Sequence, residues 1–199
     1  MGANDGVNQS NTLYFEMKRN WKGVLVEPTP HNFILCSEQR SNKNKIFCNA
    51  CLSFDYKDKY VDIKYANLMT ISENLDLDLD LDLDLDLDLD LDLENKEAHI
   101  QAGEKHLTET DRVFSFGSVA ATLNSLLEKA NAPSVIDFIS LDVEGAELEV
   151  LKGINFEQFS FKYMLIEVRD LKRVEGFLKN HSYVLEKKFS AHDYLFKYT

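Results

Sequence analysis

Strand and helix patterns alternate along most of this chain, and that alternation constrains the fold more than any other feature of the sequence. Short apolar runs of β-prone residues occur at 23–27, 46–51, 135–141 and 163–168, and a segment with helix-forming residues follows most of them. Apolar strands joined by helices are typical of a parallel sheet covered by helices on both faces. The length suits one domain, and we predict a single α/β domain over residues 1–199.

The last two strand patterns differ from the others because only four residues separate them. They cover 183–188 and 193–198, a spacing that favours an antiparallel hairpin. Between the strands we predict a helix from Ser118, acting as its N-cap, to about Ala130, and another over about 145–151. The predicted architecture is therefore a mostly parallel sheet that ends in a C-terminal antiparallel hairpin.

Residues 75–92 are a strict Leu-Asp repeat that contains nine aspartates. The alternation matches a strand, but aspartate is a poor strand former and a row of like charges on one face repels itself. We interpret the repeat as part of a low-complexity insertion in a surface loop at about 72–110, with a cation-binding or partner-binding strip as the alternative. The repeat carries nine of the chain's twelve net negative charges, so the acidity says little about the fold's partners.

Composition argues against several kinds of partner and location. There is no basic stripe, so we expect no nucleic-acid binding, and no apolar run of about 18 residues, so we expect no membrane span. Three cysteines, Cys36, Cys48 and Cys51, are an odd number, which favours a reducing, cytoplasmic location. Cys48 and Cys51 have CxxC spacing without a second pair, and we predict no metal site. The oligomeric state is left open.

A glycine-containing turn at residues 2–6, GANDG, opens the chain and is followed by a helix start at Ser10. The glycines permit a tight turn and close approach of a ligand to the backbone. Glu27 ends the next strand about twenty residues later, where a carboxylate can accept hydrogen bonds from both hydroxyls of a ribose. Asn49 and Ala50 end the following strand, where an amide and a backbone can contact an adenine ring. Together these positions predict an adenosine cofactor.

Three segments give the chain a specific family resemblance. GANDGVNQSNT at 2–12, WKGVLVEPTPHNF at 21–33 and IDFISLDVEGAELEVLKGINF at 136–156 resemble the FkbM family of S-adenosylmethionine-dependent methyltransferases. Outside the insertion, the resemblance runs in order from Gly2 to about Tyr198. It implies a Rossmann-like class I methyltransferase fold and O-methylation of a hydroxyl group, with a sugar or glycan as the acceptor.

The resemblance also implies a set of cofactor-binding residues, which follow the carboxyl ends of the predicted strands. They are Gly2, Ala3, Asn4, Asp5, Gly6, Ser10, Glu27, Pro28, Asn49, Ala50 and Asp142.

Two acids that follow the run at 135–141, Asp142 and Glu144, are the predicted catalytic pair. A turn just beyond a strand can point both carboxylates into one pocket, one as general base and the other orienting the acceptor hydroxyl. A divalent metal held by such acids is an open alternative that we do not predict. Glu144 has a second interpretation, as an acid favourably placed at the start of the next helix. Glu167 lies at the end of the predicted strand at 163–168, and this position makes it a third candidate acid for the same pocket.

The chain departs from the family pattern at its start, because the family has an apolar strand that runs directly into the GANDG turn. We therefore expect this first strand to be missing here, although it would lie mid-sheet between the strands at 23–27 and 135–141 and leave two edges exposed. Two other functions remain open: a catalytically inactive cofactor-binding or interaction module of the same fold, and a nicotinamide-dependent oxidoreductase, which the terminal hairpin disfavours.

Overall fold

The computed structural model describes residues 1–65, 71–72 and 114–199. The Leu-Asp repeat at 75–92, and nearly all of the predicted insertion, lie outside these residues. The described helices are α1 (Leu13–Arg19), α2 (Pro30–Gln39), α3 (Leu123–Lys129), α4 (Glu147–Leu151) and α5 (Leu171–Lys179). No helix in the described ranges is long and apolar enough to cross a membrane.

The described strands cover most of the predicted runs and add three around the insertion. They are β1 (Val24–Val26), β2 (Lys45–Phe47), β3 (Ala50–Cys51), β4 (Tyr60–Tyr65), β5 (Ile71–Ser72), β6 (Phe114–Ala121), β7 (Val135–Leu141), β8 (Ser160–Glu167), β9 (Tyr183–Lys188) and β10 (Asp193–Tyr198).

These strands form three sheets instead of the single sheet that the sequence predicts. β1 and β2 are a parallel pair, a second sheet has the order β7-β8-β10-β9, and a third has the order β3-β6-β4-β5. Three of the seven pairings among the described strands are parallel and four are antiparallel, so the α/β class is confirmed, whereas a mostly parallel sheet is not confirmed. β10 lies between β8 and β9 and is antiparallel to both, which accounts for two of these four pairings.

The C-terminal hairpin of β9 and β10 is confirmed with the predicted bounds. The predicted helix start at Ser118 is wrong, because Ser118 lies within β6 and pairs with Val61 of β4. α3 begins instead after Thr122, whose hydroxyl accepts a hydrogen bond of 3.2 Å from the backbone N–H of Ser125. The single strand predicted at 46–51 is two strands in the structure. β2 pairs with β1, whereas β3 pairs with β6 in another sheet.

The main core lies where the helices α3, α4 and α5 pack on the sheet that contains β7 and β8. Strand side chains such as Met164 and Phe196 are fully buried there, together with helix side chains such as Leu126 and Leu178. A smaller cluster around Val61 joins the third sheet to the start of α4. Burial of this kind is the main source of stability, at about 1.5–3 kcal/mol for each large apolar side chain.

The insertion can be tested by replacing residues 75–92 with a short Gly/Ser linker. Tyr65 and Phe114, which lie on either side of it, are directly paired in β4 and β6, so the chain leaves and returns at one place. Loop length then adds little entropy, and we expect the melting temperature to change by less than about 2 °C. A control substitution in the same sheet, Val61→Ala, should lower it by roughly 4–10 °C. A comparable loss in the linker form would show that the repeat packs on the fold.

Candidate functional site

The turn at residues 2–6 is held between β1 and β7 by backbone contacts. The backbone N–H of Ala3 donates to the carbonyl of the last residue of β1 at 3.1 Å, and the terminal amine of Met1 donates to the carbonyl of Ser140 in β7 at 2.8 Å. Gly2 has φ of +66°, and a Cβ there would lie 1.8 Å from the backbone oxygen of Asp142. Only glycine fits at this position, and the neighbour that requires it is the protein's own backbone.

Glu27 follows β1 and joins the turn to the start of α2. Its Oε2 accepts a hydrogen bond of 2.8 Å from the backbone N–H of Asn4, and its Oε1 accepts one of 3.0 Å from the backbone N–H of Thr29. The residue is 5% exposed. Burial raises the pKa of Glu27, and the hydrogen bonds from Thr29 and Asn4 oppose that rise. Each carboxylate oxygen keeps a lone pair for a further donor.

Asp5 and Ser10 shape the chain that leads from the turn into α1. The carboxylate of Asp5 accepts hydrogen bonds from the backbone N–H groups of Val7 and Asn8 at 2.9 and 2.8 Å. The hydroxyl of Ser10 accepts one of 3.2 Å from the backbone N–H of Leu13, the first residue of α1. Both side chains therefore satisfy backbone donors of a turn and a helix start.

A buried arginine, Arg40, fastens this segment to the end of α2. Its guanidinium donates to the carboxylate of Glu16 at 2.6 Å, to the carbonyl of Gly6 at 3.0 Å and to the hydroxyl of Ser10 at 3.2 Å. Partial burial opposes ionisation of Glu16, but hydrogen bonds from Ser41 and Arg40 lower its pKa overall. The sequence analysis missed this pair, since nothing in the sequence relates residues 24 positions apart.

Gly6 has φ of +86°, and a Cβ there would lie 2.8 Å from the Cγ of Arg40 and 3.0 Å from the Sγ of Cys36. As at Gly2, the need for glycine comes from contacts within the protein.

Pro28, Asn49 and Ala50 make contacts with β6. The carbonyl of Pro28 accepts a hydrogen bond of 3.2 Å from the hydroxyl of Ser118, and the amide of Asn49 donates to the carbonyl of Val119 at 3.1 Å. Ala50 is buried as a strand residue of β3. In the described structure these residues join the ends of β1 and β2 to the third sheet.

Three acids gather at the carboxyl ends of β7 and β8. Asp142 is half-buried, and burial together with the charges of Glu167 and Glu144 raises its pKa to about 8. Burial, followed by the charge of Glu144, also raises the pKa of Glu167. Glu144 has φ of +53° and forms an ion pair of 3.4 Å with Arg169. Asp142 can therefore accept or release a proton close to neutral pH.

Glu147 is a buried acid that the sequence analysis missed. As the first residue of α4, it reaches back to accept hydrogen bonds from the backbone N–H groups of Val143 and Gly145, at 3.1 and 3.2 Å. It fixes the loop that carries Asp142 and Glu144. Burial raises the pKa of Glu147 to about 7, although these hydrogen bonds oppose the rise. An acid that opens a helix and precedes an apolar run is a recognisable signal of such capping.

Metal ligation finds no support among the residues that the structure describes, where no group of three or more His, Cys, Asp or Glu residues could hold an ion. Cys36, Cys48 and Cys51 are free thiols. Burial raises the pKa of Cys51 to about 12, which makes it an inert core residue.

Comparison with known protein families gives one match. A model of the family described as "Methyltransferase FkbM domain" covers residues 1–196 of the 199-residue chain. Comparisons with curated proteins and with solved structures give no match. The matched range includes the turn at residues 2–6, Glu27 and the acids that follow β7 and β8.

The pKa of Glu147 predicts a pH-dependent stability. It rises from 4.5 to about 7 on folding, so the fold prefers the protonated acid. This contribution is complete below pH 4.5 and is lost as the pH rises through about 7. We expect the free energy of unfolding, measured with urea between these pH values, to fall less steeply in Glu147→Gln than in the parent. The exposed control Glu157→Gln should keep the parent's slope. Identical slopes in all three proteins would contradict the prediction.

Proposed function

The chain belongs to the methyltransferase FkbM domain family, and from this premise we propose that it is an S-adenosylmethionine-dependent O-methyltransferase with a Rossmann-like class I fold. The proposed acceptor is a hydroxyl group of a sugar or glycan. The observation that carries the proposal is the family match over residues 1–196. The substrate class rests on the resemblance of the three sequence segments and is the part that experiment must decide.

The charges of the site suit the proposed cofactor. Burial raises the pKa values of Asp142 and Glu167, and the nearby charge of Glu144 raises both further. A cation that binds beside them relieves this repulsion. S-adenosylmethionine, when bound, supplies a methyl group on a positively charged sulfur that needs no further activation. The acidic donor set therefore fits this group.

The turn at residues 2–6 and Glu27 would hold the nucleoside part. Hydrogen bonds from Asn4 and Thr29 fix the orientation of the Glu27 carboxylate, and its remaining lone pairs can accept from ribose hydroxyls. Gly2 lies against Asp142, which joins this part of the site to the acids after β7. Contacts of Asn49 and Ala50 with adenine remain a prediction.

Asp142 would act as the general base. A pKa of about 8 makes its carboxylate a stronger base than an ordinary aspartate, which suits removal of a hydroxyl proton near neutral pH. Glu147 holds the loop in place, while Arg169 fixes Glu144, which would orient the acceptor hydroxyl. Alignment of the acceptor oxygen and removal of its proton are the two tasks that remain to the protein.

The direct test is incubation with labelled S-adenosylmethionine and a panel of monosaccharides and oligosaccharides, with the methyl group then located by mass spectrometry. Transfer to a hydroxyl oxygen would support the proposal. Cofactor binding without transfer to any hydroxyl compound would favour the alternative, an inactive cofactor-binding or interaction module.

Glu27→Ala tests the ribose contact. Loss of a charged hydrogen-bond acceptor should weaken S-adenosylmethionine binding by roughly ten- to a hundredfold, measured by calorimetry. Because Glu27 also joins Asn4 to Thr29, the melting temperature must be measured in parallel, and Glu27→Gln serves as the shape-matched variant. Undiminished cofactor affinity in a folded Glu27→Ala protein would contradict the role of Glu27.

Asp142→Asn tests the general base. This variant keeps the shape of the side chain and should bind the cofactor within a few-fold of the parent, while turnover falls by about a hundredfold or more. The parent's turnover should rise with pH as Asp142 loses its proton near pH 8, and this rise should be absent in the variant. Full turnover in Asp142→Asn would transfer the role to Glu144. Loss of parent activity in EDTA would indicate a metal instead.

A further inference from the structure

Thr29 has the only buried side-chain nitrogen or oxygen without a hydrogen-bond partner in the part of the chain that the structure describes. The residue is 2% exposed, and its Oγ1 neither donates nor accepts within this part of the protein. A hydroxyl that leaves water without gaining a partner destabilises a fold. Such a group in a native protein calls for an explanation, and a functional role is one of them.

The usual role of a threonine at this position is not filled. Thr29 is the N-cap residue of α2, with extended backbone angles of φ −83° and ψ 116°, and Pro30 is the first residue of the helix. A capping threonine accepts a hydrogen bond from a backbone N–H two or three residues later. The side chain of Thr29 makes no such bond, so its hydroxyl is available to another group.

The carboxylate of Glu27 lies within reach of this hydroxyl. The backbone N–H of Thr29 donates to Oε1 of Glu27 at 3.0 Å, and Oγ1 of Thr29 is only three bonds away from that nitrogen. Burial raises the pKa of Glu27, and the Thr29 side chain is among the groups that oppose this rise, which places the hydroxyl beside the carboxylate. Rotation about the Cα–Cβ bond moves Oγ1 among three staggered positions, so the hydroxyl can turn toward Oε1 without a change in the backbone.

The number of donors around Glu27 leaves room for this bond. An ionised carboxylate accepts about four hydrogen bonds. The described protein supplies two, from the backbone N–H groups of Thr29 on Oε1 and of Asn4 on Oε2. Glu27 is 5% exposed, so bulk water cannot replace the missing donors, and burial favours the protonated form. A third internal donor therefore shifts the balance toward the carboxylate.

We propose that Thr29 is a positioning residue, whose hydroxyl donates to Oε1 of Glu27 and keeps this carboxylate charged and fixed for a ribose hydroxyl at Oε2. The ribose part rests on the proposed function and narrows the ribose contact of Glu27 from two oxygens to one. The support of Glu27 itself needs no ligand. The other titratable groups around Glu27 are the amine of Met1, whose charge also favours the ionised form, and the thiols of Cys36 and Cys48.

A ligand-free test follows the protonation of Glu27 by infrared spectroscopy of the 199-residue chain. The carbonyl band of the protonated Glu27 carboxyl group is identified by its loss in Glu27→Gln. We expect this band to persist to a pH higher by roughly one unit in Thr29→Val, which keeps the shape of the side chain but removes the donor. Thr29→Ser keeps the hydroxyl and should restore the parent's behaviour.

Ser118→Ala is the matched control for loss of a buried hydroxyl. Ser118 is 3% exposed, and its hydroxyl donates to the carbonyl of Pro28, the residue between Glu27 and Thr29. Its removal should leave the pH dependence of the Glu27 band unchanged, because this hydroxyl does not serve the carboxylate.

The pH dependence of stability separates this role from that of a helix cap. Loss of a cap lowers stability at every pH, whereas loss of a donor to Glu27 acts only where Glu27 is ionised. Because burial raises the pKa of Glu27, its contribution to stability is complete at acid pH and is lost as the pH rises. The melting temperatures of Thr29→Val and the parent should agree at acid pH, and that of Thr29→Val should become lower as the pH rises. In a Glu27→Gln background the effect of Thr29→Val should be the same at each pH.

Binding of S-adenosylhomocysteine, the product that remains after methyl transfer from S-adenosylmethionine, connects Thr29 to the ribose. We expect its affinity, measured by calorimetry at pH 6, to be roughly tenfold lower in Thr29→Val than in the parent. The difference should shrink to about twofold at pH 9, where ionisation of Glu27 is more complete. Thr29→Ser should bind like the parent at both pH values.

The same pH dependence of the Glu27 band in Thr29→Val and the parent would overturn the proposal. An equal loss of melting temperature at every pH would overturn it in favour of a helix cap, and a Thr29→Ser protein that behaves like Thr29→Val would overturn the assignment to the hydroxyl. A shifted band with undiminished affinity for S-adenosylhomocysteine would overturn the link to the ribose. Failure of the parent to bind S-adenosylhomocysteine would contradict the proposed function and with it the ribose part, while the infrared result would still decide the support of Glu27.

Discussion

The structure around the site depends on the backbone contacts of residues 1–4 with two different sheets. Ala3 bonds to the end of β1, Met1 bonds to β7, and Gly2 lies against the carbonyl of Asp142 with no room for a side chain. These contacts set the distance between the carboxyl ends of β1 and β7. Glu27 and Asp142, which follow those strands, are thereby held on either side of one turn.

Burial of several acids beside one another changes their protonation near neutral pH. Asp142 and Glu147 would both be ionised in water at neutral pH, but burial raises their pKa values to about 8 and about 7. The protein therefore has two carboxyl groups that still bind protons near neutral pH, where an ordinary carboxyl group is ionised. Perturbed acids of this kind concentrate at functional sites, and here they lie within the LDVEGAE segment, part of the strongest family resemblance.

The sequence predicted the elements whose signals are local. The hairpin of β9 and β10 has its predicted bounds, since alternating residues and a four-residue connection suffice to define it. Ser118 was misread as a helix cap, because its capping chemistry is overridden by pairing with β4. Arg40 and Glu16 were missed because their contact is made only by the folded chain. The glycines at 2 and 6 were correctly placed in a tight turn, yet their observed contacts are with the protein.

The amine of Met1 is a positively charged group that acts on two acids of the site. Burial raises the pKa values of Asp142 and Glu27, and the charge of this amine opposes both rises. Burial also disfavours the charge of the amine itself and lowers its pKa, so the site buries one cation among several acids.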